Sequence, residues 1–120
     1  MKIVVVDDDD LIRNLTVTAL SYCVNREVKS FDSSLQALAY IETGAPVDIV
    51  ISDVDMPDMD GLELMCRIKE KDPEKVVIIM SGVAAHESKS RLAGAAAFLA
   101  KPFEINDLFN IVQYYVVDPA

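Results

Sequence analysis

At 120 residues the chain can bury one core but not two. Its 52% hydrophobic and 26% charged residues exclude a disordered chain and mark a globular one. A net charge of −9 disfavours direct contact with nucleic acid or an anionic membrane, and suits cations and basic partner surfaces. No apolar run reaches the length of a membrane span. The start, M-K-I-V-V-V-D-D, lacks the long apolar region and small-residue cleavage site of a signal peptide. Cys23 and Cys66 fall in separate predicted helices with no C-x-x-C spacing or nearby histidine, which argues against a disulfide or a zinc site. The expectation is a reduced cytoplasmic protein.

In chain order, Lys2–Val6 is a short apolar run and a predicted central strand. Asp10 is placed to cap a helix over residues 11–22, with Ile12, Leu15, Ala19 and Tyr22 on one stripe and Asp9 left in solvent. Glu27–Ser30 is polar and fits an edge strand. Ser33 and Gln36 make a capping-box pattern ahead of Leu35, Leu38, Ala39 and Ile41, and Gly44 with Pro46 ends that helix.

The β-branched run from Val47 to Ser52 predicts a buried strand, which opens onto Asp53, Asp55, Asp58 and Asp60 with Pro57 and Gly61 as breakers. Asp60 and Glu63 cap a third helix carrying Leu62, Met65 and Ile68, which stops before Pro73. Val76–Met80 is another buried strand. A fourth helix, about residues 84–93, has only a thin alanine-based stripe. Ala96–Ala100 gives a fifth strand, and Ile105, Leu108, Phe109, Val112 and Tyr115 define a strongly amphipathic last helix.

Five β-α units in strict alternation predict an α/β fold: a doubly wound, five-stranded parallel sheet covered on both faces, for which order 2-1-3-4-5 is one of the common solutions and the one expected here. In that order helices 1 and 5 share one face and helices 2, 3 and 4 the other, which sets Cys23 and Cys66 on opposite sides. Ligands of open α/β sheets bind outside the carboxyl ends of the strands at the point where strand order reverses, here between strands 1 and 3. Those strands end at Asp7/Asp8 and at Asp53, with Asp55 just beyond; strand 4 ends at Ser81-Gly82 and strand 5 at Lys101-Pro102. Carboxylates gathered in one pocket repel, so they call for a cation or for protonation of some of them. Oxygen-only donors with room for water suit Mg²⁺ better than Ca²⁺. A lysine and a hydroxyl opposite such a cluster form a clamp for a phosphoryl group, and Asp53 between them can act as the nucleophile.

Together, D-D after strand 1, D-x-D-M-P-x-M-D-G after strand 3, S-G after strand 4 and K-P-F after strand 5 resemble the receiver domain of two-component response regulators. The likeness, of the chemotaxis-regulator kind, spans essentially the whole chain and implies one flavodoxin-like (βα)5 receiver domain over residues 1–120. Carried over residue by residue, it implies that Asp53 is the phosphoacceptor, assisted by Lys101 and Ser81. It implies Mg²⁺ held by Asp8, Asp53 and the Asp55 backbone carbonyl, with Asp7 acting through water or hydrogen bonds. Ser81, Gly82, Lys101 and the Asp55 backbone would receive the phosphoryl group. Ser81 and Phe98 would be the switch pair, Phe98 acting by packing alone because it lacks a tyrosine hydroxyl. The Lys101–Pro102 bond is expected to be cis. The side chain of Asp55 could orient water or repel the phosphoryl group, and its sign stays open.

The resemblance further implies a histidine kinase or phosphotransfer protein as donor, and a downstream protein or output domain as target, read through helix 4, strand 5 and helix 5. A homodimer stays open; nucleic-acid and membrane binding are not expected. The module would assist its own phosphorylation and dephosphorylation without being a turnover enzyme.

Taken singly, each feature has a plainer reading. Four aspartates in a row are commonly a solvated turn or a cap, and D-x-D beside proline and glycine is commonly a loop. Only their convergence on one sheet edge makes a site. His86, the single histidine, reads as a surface residue in a polar loop. Pro57 interrupts the ligand alternation of a calcium loop. Met56, Met59 and Met65 read as turn and core packing. Tyr114 and Tyr115 should divide between surface and interior. The rival is a phosphatase of the haloacid-dehalogenase type with Asp53 as nucleophile. It leaves Asp7 and Asp8 unexplained and lacks an acidic pair after Lys101. Whether the natural chain runs past Ala120 is not readable from these residues.

Overall fold

Apolar β-branched runs alternating with amphipathic stretches build β1 (Lys2–Val6), α1 (Asp10–Cys23), β2 (Glu27–Phe31), α2 (Ser34–Glu42) and β3 (Ile49–Asp53). They continue as α3 (Gly61–Lys71), β4 (Val76–Ser81), α4 (His86–Leu92), β5 (Ala97–Ala100) and α5 (Ile105–Tyr115). The computed structural model describes residues 2–23 and 27–115. The tail at Asp118, Pro119 and Ala120, Met1 and the side chain of Cys23 lie outside the described residues. All five strands pair in parallel, as the alternation predicts, and take the expected order β2-β1-β3-β4-β5.

Each central strand feeds two cores, because successive side chains point to opposite faces. Ile3, Val5, Ile49, Ile51, Ile78, Met80 and Leu99 pack with Ala19 and Leu20 of α1 and Leu108 and Val112 of α5. Val4, Val6, Val50, Val77 and Ile79 pack with Ala37 and Leu38 of α2 and Leu64, Met65 and Ile68 of α3, with Phe98 and Ala95 against them. β1, β3 and β4 are therefore apolar at nearly every position, whereas edge strand β2 is mostly exposed. The helices that carry Cys23 and Cys66 lie on opposite faces, and Cys66 is an exposed free thiol.

The capping signals hold at two helices. Ser33 Oγ accepts from Gln36 N at 3.3 Å and Asp60 Oδ1 accepts from Glu63 N at 2.8 Å. Gly44, at φ +84°, follows the α2 C-cap. At α1 the capping residue moves back by one. Asp9 Oδ1 accepts from Leu11 N at 2.9 Å and Ile12 N at 3.2 Å, so Asp9 is not idle in solvent. Asp10 is the first helical residue and pairs with Arg13 instead.

The buried face of α1 also differs from the expected stripe. Ile12, Thr16, Ala19 and Leu20 face inward, while Leu15 is 47% and Tyr22 86% exposed. Thr16 can take a fully buried position because its hydroxyl donates to Ile12 O at 2.8 Å, leaving only its methyl group to the core. Similar one- and two-residue phase differences put Ala37 rather than Leu35 or Ala39, and Leu64 rather than Leu62, in the core. The thin stripe of α4 is thinner still: Ser90 is its one buried residue.

Met59 and Met65 are buried and Met56 packs against the same core, in keeping with turn and core roles. Tyr114 is 79% exposed, while Tyr115 donates its hydroxyl to Ala96 O. Among the described residues no helix is long and apolar enough to cross a membrane.

Candidate functional site

Strand register sets the site. Val6 lies beside Ser52, Asp53 beside Met80, and Ser81 beside Ala100. Asp7, Asp53, Ser81 and Lys101 are thereby brought to neighbouring strand ends on one edge. Carboxylate oxygens of Asp7, Asp8 and Asp53 all lie within 4.8 Å of one another. Asp7 is fully buried, Asp53 nearly so, and Asp8 is exposed.

Lys101 reaches into this group from the end of β5. Its Nζ donates to Asp7 Oδ2 at 2.9 Å and lies 3.3 Å from Asp53 Oδ1. Burial, and then the Asp7 charge, push the Asp53 carboxyl above its ordinary range against the opposing pull of Lys101. For Lys101 burial works to lower the pKa, yet its hydrogen bond to Asp7 and the charge of Asp53 outweigh that and hold it above the ordinary lysine value. One ammonium thus pairs with two of three crowded carboxylates, and the group stays acid-rich. All-carboxylate donors, two of them buried and one facing water, fit a small hard divalent cation that keeps some of its own water.

Surrounding bonds make the edge rigid. Asp7 N donates to Phe31 O, Asp7 Oδ1 accepts from Asp9 N at 2.9 Å, and Arg13 Nη1 donates to Asp7 O at 2.9 Å. On the other side, Val54 N donates to Met80 O, and Gly61 N donates to Val54 O. The loop between them turns tightly at Asp58, φ 68°, where Met59 N donates to Pro57 O two residues back. Ser34 Oγ, buried at the start of α2, donates to Met59 O at 2.6 Å.

Gly61 is more than a breaker. A Cβ there would stand 1.9 Å from the Asp53 carbonyl oxygen, so α3 can start against the acceptor's backbone only with glycine. Arg13 and Ser34 carry no sequence signal as supports of the site, and Gly61 reads from sequence only as a breaker within the D-G motif. The glycine of the Asp60-Gly61 pair was the one visible signal.

The remaining expected residues fall as follows. Asp55 is exposed just past β3, and Gly82 is exposed after β4. Phe98 is half-buried on β5 against the core that includes Ile79 and Leu64. The Lys101–Pro102 peptide is cis, as the resemblance implied. Ser81 is buried, and its Oγ accepts from Val83 N at 3.0 Å and lies 2.7 Å from His86 Nδ1. His86 therefore departs from the expected surface loop: it is half-buried, opens α4 and touches Ser81. A polar residue of a short loop gave no periodicity from which this contact could be read.

Over residues 3–113 the sequence matches the family model of the response regulator receiver domain. The response regulator receiver protein CpdR of Brucella abortus is 30% identical over 118 residues, covering 97% of both chains. The DNA-binding transcriptional regulator NtrC of Azospirillum brasilense is 34% identical over 92% of this chain, which spans only 23% of that protein's length. Among solved structures, the response regulator TrrA of Thermotoga maritima in complex with Mg²⁺ and BeF superposes with a TM-score of 0.87 at 28% identity. That superposition covers 96% of this chain and 98% of the other. A receiver domain protein of Methanospirillum hungatei gives 0.86 at 30% identity, over 94% and 90%. The dehalogenase-type alternative is not favoured, since the family match takes in the acidic pair of β1 that such a phosphatase leaves idle. Receiver domains are signalling modules rather than turnover enzymes, bind Mg²⁺ at an acidic pocket, and work with histidine kinases and output domains. With the sheet order, the acidic edge and the match over nearly its whole length, this chain belongs to the response regulator receiver domain family of two-component signalling.

Proposed function

We propose that Asp53 accepts a phosphoryl group from a phosphohistidine of a partner kinase or phosphotransfer protein. The observation that carries this reading is the meeting of the Asp7, Asp8 and Asp53 carboxylates with the Lys101 ammonium at one sheet edge. An Asp53 carboxylate oxygen attacks phosphorus in line. The P–O bond forms as the P–N bond breaks, and its electron pair returns to the donor's imidazole ring. Asp8, Asp53 and the Asp55 carbonyl would hold Mg²⁺, with Asp7 through water; when bound, the ion supplies positive charge to the phosphoryl oxygens.

Lys101 is already at the acceptor and can transfer its ammonium from Asp53 to a phosphoryl oxygen, while Asp7 keeps it in place. Ser81 donates its hydroxyl to another phosphoryl oxygen, with the backbone at Gly82 and Asp55 beside it. The charge at the acceptor goes from −1 to about −2. Drawing Ser81 toward it opens room for Phe98 to repack and biases the surface of α4, β5 and α5. Because this surface is read by other proteins, a downstream protein or output domain is the target, and the working compartment is the cytoplasm. One domain spanning residues 1–120 suffices for this chemistry.

Asp53→Asn tests the reading. Its labelling by a small phosphodonor such as acetyl phosphate with Mg²⁺ should fall to background, while its circular dichroism stays that of the parent chain. Labelling equal to that of the parent would remove Asp53 from the role.

A further inference from the structure

Ser81 has a hydroxyl that the phosphoryl reading needs and that other groups already hold. It ends β4 fully enclosed, its Oγ accepting from Val83 N at 3.0 Å and standing 2.7 Å from His86 Nδ1. Lys101 N donates to the Ser81 carbonyl at 2.9 Å, but among the described residues neither Asp53 nor Lys101 hydrogen-bonds the hydroxyl. A serine hydroxyl offers one proton and two lone pairs. Val83 N–H takes one lone pair, so with the imidazole protonated at Nε2 the one proton goes to His86 Nδ1. Phosphoryl oxygens only accept, so Ser81 can serve them only by presenting that same proton. In that tautomer, which gives the buried hydroxyl proton a partner, His86 and the phosphoryl group compete for it. His86 is also the first residue of α4, and its N–H donates to Val83 O at 3.0 Å, so the imidazole and the helix start are parts of one turn.

We propose that His86 is a positioning residue that holds the Ser81 hydroxyl on the β4–α4 turn until Asp53 carries a phosphoryl group, and that releasing it frees the start of α4. This rests on the phosphoacceptor reading of Asp53. The bond opposes activation, so removing it makes the phosphorylated conformation easier to reach. The effect passes through Ser81 and vanishes where Ser81 has no hydroxyl. Asparagine at position 86 places its amide oxygen close to where Nδ1 sits and retains the restraint; leucine does not.

The test uses the whole chain with Mg²⁺ and beryllofluoride, a mimic of the phosphoryl group, titrated into the parent, His86→Leu, His86→Asn, Ser81→Ala and the Ser81→Ala/His86→Leu pair. Loss of one such hydrogen bond predicts about three- to tenfold tighter binding by His86→Leu. His86→Asn should stay within about twofold of the parent, and His86→Leu should add nothing to Ser81→Ala. Because His86 is the only histidine, ¹⁵N-histidine spectra give a second readout that does not depend on the leucine variant folding. The Nδ1 resonance should shift on beryllofluoride addition in the parent and not in Ser81→Ala. Unchanged affinity in His86→Leu, the same change with and without the Ser81 hydroxyl, or a static Nδ1 resonance overturns the positioning role. Failure of the parent to bind beryllofluoride at all overturns the Asp53 reading itself, and the two failures are thereby told apart.

Discussion

At Asp53, burial and the charge of Asp7 both oppose ionisation, and Lys101 only partly compensates. A carboxyl whose pKa is raised by folding binds its proton more tightly folded than unfolded. Its ionisation therefore subtracts stability as pH climbs from the ordinary aspartate value of 3.8 to the raised one, and the full penalty stands above that. Asp53→Asn removes the penalty. In metal-free buffer the variant should melt above the parent at neutral pH, with the gain shrinking in acid and gone below about 3.8. Thermal unfolding across that range checks it, and a variant less stable than the parent at neutral pH would contradict it. Gly61 makes the opposite case, since there a single methyl group meets the Asp53 carbonyl at 1.9 Å. Gly61→Ala should lose about 3 kcal/mol in denaturant unfolding as α3 is forced away from the acceptor. Neutral stability would mean that the loop yields at no cost.

The helices show which parts of a sequence carry their own structural information. α1 was legible as a helix from its acidic start and apolar stripe, yet its buried face only in part, through Ile12 and Ala19. Thr16 looks polar on paper and hides its hydroxyl against Ile12 O, while Leu15 and Tyr22 look apolar and face water. Its cap reads one residue late, at Asp10, because four consecutive aspartates look alike and only geometry separates Asp9, bound to Leu11 and Ile12 N–H, from Asp10, bound to Arg13. These two differ in expected cost. Asp9→Ala should lose about 1 kcal/mol. Asp10→Ala, which removes a carboxylate that is 78% exposed, should lose only a few tenths. Paired urea melts would decide, and equal losses would contradict the assignment. The strands were more transparent, because a fully buried parallel strand has to be apolar on both faces and the next polar residue then marks its end. That is why Asp7, Asp53, Ser81 and Lys101 could be read as edge residues. Arg13, Ser34 and His86 could not, because each acts through one long-range or loop contact that leaves no periodic trace.

Across the whole molecule, a doubly wound sheet converts residues far apart in sequence into neighbours: Asp7 and Lys101 are 94 positions apart and 2.9 Å away. The parallel sheet was legible from alternation and the order β2-β1-β3-β4-β5 only as one common doubly wound solution, and the site followed from it because strand ends in a parallel sheet share an edge. Such a site joins binding to folding. Mg²⁺ at about a hundred times its Kd should stabilise the chain by about 2.7 kcal/mol, and Asp8→Asn should remove most of that gain. The account stands on one covalent event. Its most direct measurement is peptide mapping by mass spectrometry after reaction with acetyl phosphate, with Mg²⁺ and with a chelator. The account predicts a single phosphoryl adduct, on the peptide that carries Asp53, formed with Mg²⁺ and lost with the chelator. An adduct confined to any other residue, or one formed equally well without the metal, would contradict it.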